Sequence, residues 1–583
     1  MRYLQLVHNT WDPVARTTKA KVLHSFGRED EVDRAAIERL IASLTRLLDS
    51  TAGLAGTPNT GGERPDLEFV SSRALGATWA LDGLWHQLGL DGLLRRLLVG
   101  TRRDARTERV LFALVAARAI EPASKLATAA WLSRRTCITG LTDGEGDERR
   151  GVSEDECYRA MDWLIEAAPQ VEREVFWSVA SLLDLEIDLL FFDTTSTYFE
   201  TEDADEPVPR DERGQALPDG PQQPGPGQAD GEGEGPPQAG FRTWGKSKDA
   251  RGDLPQIVIG MAVTRAGIPV RVWSWPDNTT DSALIRQAKD DLREWTLARI
   301  VWVGDRGFTS AANRRDLRAG GHGYILGERL RSGSADAQAA LARPGRYQTV
   351  ADNLQVKEVK IRDDERFIVC FNPETADRDA ALRQVMLGKL EELIAGSDAL
   401  PPRKRAELAG KISMMPGPHR YLRQTPGGLL RVDKARIAAE AKLDGKYLLH
   451  CSDPTMSAED IALGYKQLVQ VERGWRDLKT HLELRPVYHR LEARIRAHVL
   501  LCWLALLLIR IVETKTGATW ATAREDLQDL HVGVFTGPAG TFTQTSTPTP
   551  AAHAALAALD IGPPKKILRL TPAATEPSEQ RAG

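Results

Sequence analysis

Three acidic residues stand out by their surroundings. Asp193 closes the apolar run Leu189-Leu190-Phe191-Phe192, and Asp305 closes a second apolar run over 298–304. Glu472 lies in a helical pattern, with Tyr465 and Lys479 seven residues to either side. Carboxylates are hard oxygen donors, and two or three suffice to hold Mg2+, which keeps several of its waters. Divalent ions held in this way neutralise an anionic phosphodiester and turn water into a nucleophile, the two requirements of phosphodiester cleavage. Such ligands work only where rigid elements fix them.

The elements around these residues are suited to that task. Each aspartate ends what reads as a buried strand. If the two strands are parallel neighbours, both carboxylates emerge at one sheet edge, where ligands of α/β sheets bind. An aspartate after a strand also serves simply to cap a turn. Asp184 and Asp188 compete with Asp193, but they precede the apolar run. For the glutamate, an amphipathic helix is expected over 458–482. Residues seven apart in a helix drift by only ~20°, so Tyr465, Glu472 and Lys479 form one polar line. Leu468, Val471, Trp475, Leu478 and Leu482 form the adjoining apolar stripe that docks on the sheet. A solvated helix edge with a Glu–Lys pair is the plainer alternative.

The segment 201–240 holds ten acids, eight prolines and eight glycines against Arg210 and Arg213. Its composition cannot build a core, and a disordered loop is expected. The chain's net charge of −4 therefore hides a basic remainder. Basic clusters stand at Arg95-Arg96, Arg102-Arg103, Arg106, Arg109 and Arg134-Arg135. Others are Arg473, Arg476, Lys479, Arg485, Arg490, Arg494 and Arg496. These permit nucleic-acid binding, but solvated helix faces give the same pattern. Five cysteines lie far apart without a Cys-x-x-Cys pair, which argues against disulfides or zinc and for a reducing cytoplasm. Met1-Arg2-Tyr3-Leu4-Gln5 does not read as a signal peptide. The apolar run 499–509 is too short to span a bilayer, so no membrane is expected. Gly240-Phe241-Arg242-Thr243-Trp244-Gly245-Lys246-Ser247 fits the letters of a P-loop. It follows an acidic Pro/Gly stretch and leads into Pro255 without a helix start, so no nucleotide cofactor is expected. The eleven histidines offer no His-Glu-x-x-His spacing.

A length of 583 residues calls for several domains. Residues 1–50 read as a hairpin plus a helix at 32–48, and 51–66 as a linker. A helical, DNA-binding region is expected over 67–184, with a capped helix starting at Ser153 and Glu156. Over 185–330 the order is strand, hairpin, helix, strand, helix, strand, which matches an RNase H-like sheet. An α+β insertion domain follows over 331–455, and 456–515 returns to the core with the Glu472 helix. A loose C-terminal tail is expected over 516–583. The fold class is thus multidomain α/β, with an RNase H-like core of mixed sheet flanked by helices.

Tyr465-x6-Glu472-x6-Lys479, continuing through Leu484-Arg485-Pro486-Val487-Tyr488-His489-Arg490, resembles the Tyr-Arg-Glu-Lys signature of bacterial insertion-sequence transposases with a DDE site. Asp193-Thr194-Thr195 is similar to their first-acid motif, and Gly304-Asp305-Arg306-Gly307 to their second. Ser247-Lys248-Asp249, Asp253-Leu254-Pro255-Gln256 and Asn278-Thr279-Thr280-Asp281 look like the stretches between those acids. The resemblance implies that Asp193, Asp305 and Glu472 hold two Mg2+ or Mn2+ ions, with Asp193 bridging them. It also implies cut-and-paste recombination at terminal inverted repeats, strand transfer into target DNA and a homodimeric synaptic complex. Tyr465 and Lys479 would hold backbone phosphates. The signature's arginine is Leu468 here, and Arg476 is the expected substitute. A catalytically silent DNA-binding descendant and a nuclease without strand transfer are the rival readings.

Overall fold

Contacts divide the chain into two units, one formed by Met1–Leu185 with Gly474–Gly583, the other by Glu186–Arg473. The computed structural model describes residues 3–12, 17–28, 67–142, 151–183, 188–211, 214–217, 238–276, 279, 281–293, 299–362, 365–537 and 540–572. The helix expected at 32–48, the linker at 51–66 and Asp184 lie outside the described residues.

The first unit opens with the expected hairpin, β1 (Tyr3–Asp12) antiparallel to β2 (Thr17–Arg28). Strand β3 (Glu68–Ala74) leads to helices α1 (Gly76–Gln87), α2 (Leu90–Leu98), α3 (Thr107–Ile120), α4 (Lys125–Arg134) and α5 (Glu154–Leu182). Ser153 starts α5 through the expected capping box: its side chain accepts from Glu156 N–H, and Glu156 reciprocates to the Ser153 N–H. Several arginines of the first basic cluster are used internally. Buried Arg109 pairs with Asp82 at 2.7 Å and Glu108 at 2.6 Å, and Arg95 reaches the same Glu108 at 3.2 Å. Arg103 pairs with Glu166, Arg106 with Glu156 and Arg135 with Glu121. For these residues the cluster reports helix packing, because their charge is met by neighbouring acids.

The second unit is built on a nine-stranded sheet. Its first strands are β4 (Leu189–Tyr198), β7 (Gln256–Thr264) and β8 (Pro269–Pro276), with the two-residue strands β5 (Val208–Pro209) and β6 (Gln238–Ala239) paired outside it. Helix α6 (Asp281–Arg293), β9 (Val301–Gly304), α7 (Ala311–Arg318) and β10 (Gly323–Glu328) follow in the expected order. Leu189 through Phe192 are all buried, as befits a strand covered on both faces. The acidic segment differs from expectation at its ends. Asp205 accepts from the Arg242 backbone N–H and guanidinium, and Arg210 is buried with its guanidinium over Phe241. Charge pairing and two cation–π contacts, Arg210 over Phe241 and Arg242 over Phe199, hold these ends; 218–237 lies outside the described residues.

Residues 331–455 do not stand apart as an insertion domain. After α8 (Ala335–Ala342), strands β11 (Gln348–Ala351), β12 (Leu354–Arg362) and β13 (Glu365–Phe371) join the main sheet. Next come α9 (Pro373–Ile394), α10 (Pro402–Ser413), the hairpin β14 (Leu422–Gln424) with β15 (Leu430–Val432), and α11 (Lys434–Ala441). They carry a small core of their own around Leu387, Leu390, Ile412 and Tyr421. Strand β16 (Lys446–Cys451) then returns to the sheet, whose order is β11-β12-β13-β16-β10-β9-β4-β7-β8. β16 is antiparallel to both β10 and β13 and so welds the two parts together. A linear reading sees an insertion because the pairing of β10 with β16 is non-local.

Helices α12 (Ala458–Lys466) and α13 (Val469–Thr480) follow. The first unit then resumes with α14 (Glu492–Thr516), α15 (Trp520–Leu527), β17 (His531–Gly537), β18 (Gly540–Thr545), α16 (Pro550–Ala558) and β19 (Ile567–Pro572). At 25 residues, α14 is long and apolar enough to cross a membrane, unlike the shorter run read from sequence. It packs against α3 and α5, and 94% of its most apolar stretch is buried, so it is a core helix. The expected loose tail is folded as far as residue 572. Its Thr-rich strands form the sheet β19-β18-β17-β3, and Leu527, Leu530, Leu556 and Leu559 are buried. Threonine is a strand former, and β17 finds its partner in distant β3.

Candidate catalytic site

β4 and β9 are parallel neighbours, with Phe191 opposite Val303. Two residues beyond that pair stand Asp193 on β4 and Asp305 just past the end of β9. Equal offsets from a matched pair bring both to the same edge of the sheet, Asp193 within β4 and Asp305 in the turn after β9, on strands ~4.8 Å apart. β10 runs parallel to β9, with Leu326 opposite Gly304. Its C-terminal end therefore reaches the same edge.

Local contacts hold the Asp305 carboxylate and the strand beside Asp193. The Gly307 N–H donates to Asp305 Oδ1 at 2.5 Å. A Cβ at residue 307 would lie 2.9 Å from that oxygen, so the glycine permits the turn. Beside half-buried Asp193, the Lys248 ammonium donates to the Thr194 carbonyl at 2.7 Å and to its hydroxyl at 2.6 Å. The Lys248 N–H donates to Ser196 Oγ at 2.9 Å. Ser247-Lys248-Asp249, seen in sequence without a role, thus clamps β4 next to its acid.

The expected continuous helix is broken. After α12, Gln467 N–H bonds back to Gly464 O and Leu468 N–H to Tyr465 O, both three residues apart, and α13 begins at Val469. Such a tight turn interrupts the 3.6-residue period, so Tyr465 and Glu472 do not share one unbroken helix line. The apolar stripe is as expected: Leu468, Val471, Trp475, Leu478 and Leu482 are all buried. Glu472 is exposed in the first turn of α13; Arg476 is exposed and Lys479 half-buried further along the same helix.

Asp305 and Glu472 line one pocket of about 800 Å3. Tyr465 forms part of its wall. Its ring stacks on Tyr447 at 6.0 Å, and a Cβ at Gly327 would lie 2.3 Å from its hydroxyl. Burial first, then the charge of Asp305, holds this phenol well above the usual tyrosine range, so it stays a proton donor. Arg306, Arg329, Arg331, Lys446 and Lys466 also line the pocket. Of these, Arg331 pairs with Glu440 at 2.8 Å and Lys466 reaches Asn353 at 3.3 Å. Sequence reasoning missed these cations. The available signal was Arg329 and Arg331 directly after β10, at the edge that carries the aspartates.

Asp193 is outside that pocket's lining, on the strand next to the one that leads into Asp305. Among the described residues, no three His, Cys, Asp or Glu side chains gather closely enough to hold one ion. The donor chemistry nonetheless fits hard divalent cations, since the groups are carboxylates with no thiolate or imidazole among them. The P-loop letters are differently used. Gly240 packs on the Asp205 carbonyl, where a Cβ would sit 2.2 Å away, and 241–255 contains no helix.

A family model described as transposase DDE domain matches residues 230–508, and one described as IS1634 family transposase, N-terminal domain, matches residues 1–54. The comparison with curated proteins gives no match. Among solved structures, the piggyBac transposase synaptic complex with hairpin DNA is similar at 8% identity and a TM-score of 0.32, over 83% of this chain and 78% of that one. The Mos1 transposase paired-end complex with left transposon end is similar at 12% identity and a TM-score of 0.13, over 51% and 68%. At those scores neither structure carries an argument.

Proposed function

The chain belongs to the DDE transposases of bacterial insertion sequences and is an enzyme acting on DNA, and from that premise we propose that Asp193, Asp305 and Glu472 are its catalytic acids. The observation that carries this reading is that Asp193 on β4 and Asp305 just past the end of β9 each stand two residues beyond the paired Phe191 and Val303 of these parallel strands. Glu472, in the pocket of Asp305, supplies the third carboxylate. The strand order β8-β7-β4-β9-β10, with β4, β9 and β10 parallel, supports an RNase H-like core.

These three carboxylates would hold two Mg2+ or Mn2+ ions, which supply charge neutralisation at the phosphate and an activated water. The rest of the task falls to protein groups. Lys248 fixes β4 through Thr194, so the backbone beneath Asp193 does not shift when its carboxylate is engaged. Tyr465, held protonated, donates to a phosphate oxygen at the pocket wall. Arg306, Arg329 and Lys446 attract the flanking backbone, which positions DNA without reading its sequence. Arg476 and Lys479 extend that contact along α13. The substrates are the element's terminal inverted repeats and then target DNA, handled by a homodimer in the bacterial cytoplasm.

The test is cleavage of a labelled duplex carrying the element end. Asp193→Asn, Asp305→Asn and Glu472→Gln should each lose more activity than the ~10–100-fold typical of residues that only support metal ligands. End binding and melting temperature should stay near wild type. Near-normal Mg2+-dependent cutting by any of the three would remove that residue from the site.

A further inference from the structure

The first unit contains a second pocket, of about 160 Å3, with two buried cations, Arg118 and Lys125, in its lining. Its lining includes Arg118 from α3, Lys125 from the start of α4, Arg485, and His489 and His498 around α14. Lys125 is only 4% exposed and Arg118 8%. Arg118 donates to the Ala123 carbonyl at 2.6 Å. The Lys125 ammonium has no hydrogen-bond or ion-pair partner among the described residues. His498 is 3% exposed; its Nε2 meets the Leu484 carbonyl at 3.2 Å, while its Nδ1 has no partner. The single carboxylate in the lining, Glu483, is exposed.

Buried like charges without a counter-ion cost several kcal/mol per ion. The protein's own groups register that cost. Burial and then Arg118 push Lys125 down to about 8, and burial with Lys125 and Arg118 pushes His489 down to about 3. Each of these groups would regain its ordinary protonation beside an anion. The space is too large for one water, whose share of liquid volume is ~30 Å3, and suits a tetrahedral oxyanion. Its lining extends to Tyr488, which is 76% exposed. An exposed ring beside an anion seat matches a nucleotide, with phosphate inside and base or sugar on the aromatic face.

We propose that this pocket seats one backbone phosphate of DNA, with Lys125 and Arg118 as its floor, Arg485 as a further donor, and Tyr488 stacking on the adjoining nucleotide. The choice of DNA as the source of the phosphate rests on the transposase reading; the anion seat does not.

The experiment uses the full chain without metal, so no cleavage is needed. Inorganic phosphate at constant ionic strength should raise the melting temperature of the wild type. Lys125→Met should match or exceed the wild type without phosphate, because it removes a buried charge, and should lose the phosphate response. On duplex DNA it should bind about tenfold more weakly at low salt, with a log K against log salt slope shallower by about one. Tyr488→Ala should weaken DNA binding and keep the phosphate response. If Lys125→Met does not fold, Arg485→Gln carries the same two readouts. A phosphate response unchanged in Lys125→Met, or in Arg485→Gln where that stands in for it, would overturn the anion seat. A response lost with an unchanged DNA slope would leave a seat for free phosphate and overturn the DNA assignment. Wild type that responds to phosphate but does not bind DNA would count against the transposase reading instead.

Discussion

The sheet edge at Asp305 depends on a few close approaches. Asp305 can turn one carboxylate oxygen onto the Gly307 N–H because residue 307 has no Cβ. Gly327 does the same for Tyr465, letting the phenol lie against β10 where a Cβ would be 2.3 Å from its oxygen. Tyr465 cannot simply swing aside, since its ring stacks on Tyr447. Gly327→Ala should therefore cost about 1–3 kcal/mol of stability as an overpacking change. It should also lower cleavage about as far as Tyr465→Phe, which deletes the hydroxyl outright. Wild-type cleavage by folded Gly327→Ala would show that the phenol's position is not needed. The work of Lys248 is seen only in its contacts, through Thr194 and Ser196.

At the scale of elements, the break between α12 and α13 separates two jobs that one helix was expected to do. α12 sets Tyr465 into the pocket wall, and α13 starts afresh with Glu472 in its first turn. The acidic segment divides likewise. Its ends are tied down by Asp205–Arg242 and by Arg210 over Phe241. Replacing 218–237 with a short Gly/Ser linker should keep fold and cleavage within severalfold of wild type, because closure entropy changes by only ~0.6 kcal/mol per doubling of loop length. Replacing 203–239 should destabilise the protein, since it removes Asp205 and Arg210 and leaves Arg242 without its acid. Equal melting temperatures for the two replacements would show that the tied ends contribute nothing.

Across the whole molecule, the first unit is closed by chain from both ends. β17 pairs with β3, which lies more than four hundred residues earlier, and α14 supplies the core under α3 and α5. Ending the chain at 516 would strip out buried Leu527, Leu530, Leu556 and Leu559. At ~1.5–3 kcal/mol each, that loss rivals the ~5–15 kcal/mol stability of a typical domain. Such a protein should be insoluble or molten, with no cooperative unfolding transition by calorimetry. A cooperative, wild-type unfolding transition for the 516 truncation would overturn this account of the C-terminal segment.

Sequence by itself determined the local facts: the apolar strands that end at Asp193 and Asp305, their order with the hairpin and helices, the capping box at Ser153, and the buried stripe from Leu468 to Leu482. Each is set by neighbours within a few residues, where periodicity and capping act. The three acids were singled out there too, by where they stand relative to those runs. Only the tertiary structure decided that β4 and β9 are neighbours in matched register, and that β16 makes 331–455 part of the main sheet. It alone showed that Arg95, Arg103, Arg106, Arg109 and Arg135 are met by acids, and that the Thr-rich C-terminal segment is folded. It also brought Lys125 and His498, far apart in the chain, to one pocket. Apart from Arg109 with its neighbour Glu108, these are pairings between residues tens to hundreds of positions apart, and no local pattern encodes which partner a strand edge or a charge will find.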